Sequence, residues 1–88
     1  MTIGNALLFI RQGLEDRELR QKLNRASSMS ELDSILIAHG LAFSEHDFEE
    51  AFYSRLFKCQ DQVVADQLKE FKVWWDLLIL NLRQEAHG

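Results

Sequence analysis

Proline is absent from the 88 residues, glycine occurs four times and cysteine once. Strand-rich folds depend on glycine and proline to turn the chain, so their scarcity favours helices before any pattern is read. A lone cysteine, Cys59, closes no internal disulfide, which excludes the disulfide-stapled secreted domains and points to a reducing compartment. Long apolar runs are missing as well. The most apolar window, residues 73–82, is interrupted by Asp76 and Asn81 and falls far short of the roughly 20 residues that cross a bilayer. Residues 1–14 begin without the basic run of a signal peptide. A chain of this kind is expected to stay soluble in the cytoplasm.

Positive charge is missing from residues 30–50, which hold six acids and no Lys or Arg, whereas residues 1–29 carry five basic residues against three acids. With a net charge of −4, nucleic acid is not an expected partner. The run Glu45, Asp47, Glu49, Glu50 reads as a solvated helix face. What is plentiful is apolar side chain, 47% of the sequence, enough for one core at a length where a single domain, residues 1–88, is the natural unit.

The spacing of those residues predicts an all-α fold, a small bundle of four to five helices with a long amphipathic C-terminal helix. Ile3, Leu7, Ile10 and Leu14 fall on one helical stripe with Thr2 as its cap, and Gly13 is expected to loosen the end. Asp16 offers the next N-cap, for a short helix burying Leu19, Leu23 and Ala26 and turning Arg17, Arg20, Lys22 and Arg25 outward. Ser30 with Asp33 resembles a capping box for a third helix that buries Leu32, Ile35 and Leu36 and ends at Gly40. Leu41 and Phe43 can fold back on the core. Ser44 with Asp47 repeats the capping arrangement ahead of a fourth helix with Phe48, Ala51, Phe52 and Leu56 inside. A turn near residues 58–61 is expected because the apolar stripe changes phase there, with Asp61 capping the long helix over 61–84.

In that last helix Val64, Leu68, Phe71, Trp75, Leu78 and Leu82 alternate steps of four and three and form one seam. Past Lys72 the opposite side is apolar too. At about 100° per residue Val73, Leu77 and Leu80 lie almost opposite the seam, with Trp74 on the flank. Burying one aliphatic side chain is worth about 1.5–3 kcal/mol, so Val73, Trp74, Leu77 and Leu80 form the expected protein-binding face, taken up by a second copy or by another protein. The alternative is that the N-terminal helix, with Leu8 and Phe9 off its main stripe, folds across this face.

Signals for catalysis and cofactors are weak. His39, His46 and His87 lack the i, i+4 spacing that presents two metal ligands from one helix, and Cys59 has no histidine or strongly basic setting in the sequence. There is no phosphate loop and no nucleophile elbow. The expectation is a non-enzyme with no metal and no cofactor.

With the helices placed, Phe9 and Ile10, the stretch DRELRQKL at residues 16–23, Ser30, Glu31 and Leu32, and AHGLAFS at residues 38–44 together resemble the small bacterial Nif-eleven family. The resemblance spans about residues 3–57. It implies a nitrogen-fixation accessory protein, or the leader segment of a ribosomally made, modified peptide. Prolines often seen at helix starts in that family are replaced here by Arg17 and by Ser30 and Glu31. A leader of the family ends in a small-residue cleavage motif before its core peptide, whereas here Trp74 and Trp75 occupy that region and the sequence closes on His87 and Gly88. The resemblance therefore implies the standalone, nitrogen-fixation-linked branch, with a leader or carrier recognised by a peptide-modifying enzyme as the alternative.

Overall fold

The computed structural model describes residues 2–87, with side chains through residue 84; Met1, Gly88 and the His87 side chain lie outside it. Five helices make up most of the described residues, and no strand occurs among them. They are α1 (Ile3–Glu15), α2 (Arg17–Asn24), α3 (Met29–Ala38), α4 (Glu45–Lys58) and α5 (Gln62–His87). At 26 residues α5 is the longest. A rise of 1.5 Å per residue makes it about 39 Å long, which sets the 41 Å axis of the molecule.

Side chains at the boundaries explain most of the helix ends. The Thr2 hydroxyl accepts from the Asn5 amide at 3.1 Å and starts α1, and the Asp16 carboxylate accepts from the Glu18 and Leu19 amides and starts α2. Ser44 and Asp47 exchange two bonds of 3.1 Å as a complete capping box for α4. Asp61 accepts from Val63 and Val64 and restarts the helix after Cys59, whose backbone is extended. Helices α4 and α5 are thus separated by a turn, as the phase change predicts.

The start of α3 differs from the sequence expectation. Ser28 is the N-cap, accepting from the Glu31 amide at 3.1 Å, and Glu31 reaches back to the Ser27 amide and hydroxyl. Ser30 and Asp33 are already inside the first helical turns. The cap falls two residues before the expected one because the Glu31 carboxylate reaches back to Ser27, the residue before Ser28. The end of α3 is as expected. Gly40 has φ +69°, and the amides of Gly40 and Leu41 bond the Ile37 and Leu36 carbonyls at 3.0 and 2.8 Å, a Schellman closure.

The core lies where α1 packs along α4 and α5 crosses both, touching α3 as well. Phe9 is its hub, with ring centroids of Trp75, Phe43, Phe71 and Phe48 at 4.8, 5.0, 5.5 and 6.3 Å. This corrects the face assigned to α1. Ala6, Phe9, Ile10 and Gly13 are its buried line, while Ile3 is exposed and Leu7 and Leu14 are half-buried. The stripe is rotated by about one residue because Ala6 and Gly13, too small to register as hydrophobic anchors, are buried, Gly13 directly under the Phe71 ring.

Candidate functional site

Helix α5 divides into an inner and an outer side. Leu68, Phe71, Trp75, Ile79 and Leu82 are buried, Leu78 is half-buried, and Val64 at the start of the seam is 40% exposed. Ile79 was absent from the expected seam, although it follows Trp75 by four residues. On the outer side Val73, Leu77 and Leu80 are 58%, 54% and 50% exposed. Helix α1 does not cover them, since Phe9 is in the core and Leu8 is itself exposed. The three form a stripe at i, i+4 and i+7, continued toward the N-terminus by exposed Asp66, Lys69 and Glu70.

Trp74 is placed differently from its three companions. Its ring is half-buried against Phe71, with centroids 5.3 Å apart, and its indole Nε1 donates to Asn24 Oδ1 at 2.8 Å. That bond ties α5 to α2. The indole turns away from the Val73 stripe and lines a cleft of 460 Å³ shared by α1, α2 and α5.

The other edge of the stripe is charged. Lys72 Nζ contacts Asp76 at 2.6 Å and Glu49 at 3.7 Å and stands 5.6 Å over the Phe52 ring. The bond with Asp76 raises the Lys72 pKa against the opposing effect of burial, with the charges of Asp76 and Glu49 adding to the rise. Arg83 pairs with Glu45 across a hollow of 310 Å³ that is floored by Trp75 and Ile79 and edged by Leu80. His46 contacts Glu50 at 2.9 Å. The acidic run of α4 therefore spends its carboxylates locally, on a cap, two bridges to α5 and one to its own helix.

Arg20 is a further correction. It was placed with the outward basic residues of α2, but it is half-buried, and its Nη1 donates to the carbonyls of Gly13 and Leu14. It closes the C-terminal end of α1, where free carbonyls collect. Gly13 is correspondingly not a loosening residue. It is buried under the Phe71 ring, and a Cβ built there would stand 2.5 Å from two ring carbons.

Among the described residues no group of three or more His, Cys, Asp or Glu is arranged to hold a metal ion. Cys59 is half-buried, its Sγ donating to the Asp61 carbonyl at 3.3 Å. No helix of the described residues is long and apolar enough to cross a membrane. The residues that pattern reading passed over are Phe57 and Val63 beside the α4–α5 turn, 91% and 65% exposed. Phe57 lies one residue beyond the inner face of α4, and that offset was the available signal.

A family model described as the Nif11 domain matches residues 1–48, the same family that the motifs at residues 16–23 and 38–44 resemble. The chain belongs to the Nif11 domain family. Membership places it among small nitrogen-fixation-associated or peptide-precursor proteins. No curated protein and no solved structure matched the chain. The Nif11 match covers α1, α2, α3 and the first turn of α4. The exposed stripe of α5 lies outside it.

Proposed function

We propose that this Nif11-domain chain is a non-enzymatic accessory protein of nitrogen fixation, acting in the cytoplasm. It docks through the outer side of α5 onto a second copy or onto a partner protein, a nitrogen-fixation component. The observation that carries the reading is the half-exposed Val73, Leu77 and Leu80 stripe. Three aliphatic groups in register on a helix whose opposite side fills the core give a partner several kcal/mol of burial before docking costs are subtracted, at about 1.5–3 kcal/mol each. Trp74, expected in the same face, turns its indole toward Asn24 and leaves the three aliphatic residues as the docking stripe.

Sedimentation over a concentration series, with the parent and Leu77→Glu side by side, tests it. Leu77 is 54% exposed, so the variant is expected to melt at the parent temperature while losing self-association. If both remain monomeric, capture of nitrogen-fixation components by the parent but not by the variant supports the heteromeric form. Equal behaviour in both assays defeats the docking reading.

A leader or carrier recognised by a peptide-modifying enzyme is the second reading. It is favoured by the position of the family match, which falls on the N-terminal helices and ends before α5 begins. Mass spectrometry of the protein from its own cells would show a cleaved or modified chain in that case.

A further inference from the structure

We propose that the cleft between α2 and α5 binds a free α-amino acid with an apolar side chain, its carboxylate on Arg20 and its ammonium on Glu70. The cleft measures 460 Å³, and Leu14, Phe71 and Trp74 supply its apolar lining beside the polar groups of Arg20, Asn24 and Glu70. That volume lies within the range of about 300–1,000 Å³ typical of small-molecule pockets.

Two features single out the ligand. The Arg20 guanidinium uses one nitrogen, Nη1, for both of its bonds to the α1 carbonyls. Its Nε and Nη2 hydrogens have no partner among the described residues, and no described carboxylate lies within 4.0 Å of it. A half-buried guanidinium with an unused edge is the geometry that takes both oxygens of a carboxylate. Glu70 lines the same cleft and also has no ion pair or side-chain hydrogen bond among the described residues. Opposite charges that share a cleft without meeting give a simple anion or cation one attractive and one repulsive neighbour, whereas a molecule carrying both signs can satisfy both charges at once. The wall that would meet the apolar side chain is preset, because Trp74 is held by its 2.8 Å bond to Asn24.

Titration of the full ¹⁵N-labelled chain with L-leucine, following the indole N–H signals of Trp74 and Trp75, tests the assignment. A saturable shift centred on Trp74 is expected in the millimolar range or below. Leucinamide, which lacks the carboxylate, and N-acetyl-leucine, which lacks the ammonium, should each bind about tenfold more weakly, the loss expected for one charged hydrogen bond. These ligand changes probe Arg20 without disturbing its cap on α1. Glu70→Gln should weaken leucine about tenfold with an unchanged melting temperature, because Glu70 is exposed. Leu77→Glu should leave leucine binding as it is, which separates this site from the docking stripe. Leucinamide binding as well as leucine overturns the role of Arg20. Equal binding of N-acetyl-leucine overturns the free amino acid in favour of a peptide C-terminus, and no saturable shift overturns the site altogether.

Discussion

Gly13 shows how much one missing carbon sets at the centre of this molecule. It sits in the last turn of α1, buried, with the Phe71 ring where a side chain would begin. Gly13→Ala would gain up to about 1 kcal/mol of helix propensity. The methyl would meet two Phe71 ring carbons at 2.5 Å, and Phe71 has little room to yield because it is 4% exposed and packed on Phe9. Overpacking costs about 1–3 kcal/mol, so the expected outcome is a net loss of roughly 1 kcal/mol, read as a lower urea midpoint at unchanged slope. A stabilised variant would mean that α5 shifts freely over α1. Neither Gly13 nor Arg20 was legible in the sequence, since a glycine near a helix end and an arginine in a basic run both have ordinary local explanations. What decides them is a neighbour distant in sequence for Gly13 and the carbonyls of the preceding helix for Arg20. Gly40 was legible because its reason is local, a left-handed residue after a helix.

Among the elements, the boundaries of α3 and α4 make separate predictions. Ser28→Ala removes the acceptor for the Glu31 amide and should cost about 1 kcal/mol. Ser30→Ala, inside the helix and exposed, should be nearly neutral, and thermal melts of the pair would distinguish the observed cap from the one expected at Ser30. The same boundaries carry the acid limb of stability. Bonds from Ser27, its hydroxyl first and then its amide, hold the Glu31 carboxyl below the usual range. The Ser44 amide and then its hydroxyl do the same for Asp47. Both carboxyls have lowered values only in the folded chain, so their contribution is fully present above the unfolded values of about 4.3 and 3.9. It fades as pH falls through the lower folded values. Melting temperature should therefore drop below about pH 4, and Ser44→Ala should flatten that drop only in part, because it removes the hydroxyl while the residue 44 amide still bonds the Asp47 carboxylate. The helices, the turn before α5 and four of the five expected N-caps were legible because each rests on contacts within a few residues. The inward face of α1 was not, because periodicity weights bulk, and two of its four buried positions are the small Ala6 and Gly13.

At the scale of the whole molecule, the family-matched segment does not close its own core. Residues 1–48 supply Phe9, Phe43 and Phe48. The rings that complete their cluster, Phe71 and Trp75, come from α5, with Trp75 4.8 Å from Phe9, 5.7 Å from Phe43 and 5.6 Å from Phe48. Leu68, Ile79 and Leu82 extend the same inner side. The helix proposed as the docking element is thus also structural, and its two sides separate cleanly. Removing α5 by ending the chain at residue 60 would uncover Phe9, Phe48 and Phe52 together, and each large apolar side chain so exposed forfeits about 1.5–3 kcal/mol. Three such losses are comparable with the typical total stability of about 5–15 kcal/mol. The truncated chain is expected to lose its near-ultraviolet circular dichroism and cooperative melting, whereas Leu77→Glu and Leu80→Glu in the full chain keep both. Cooperative melting of the truncated chain would instead make α5 an appendage, and its outer stripe could then be studied as a tethered peptide rather than as one side of a shared core.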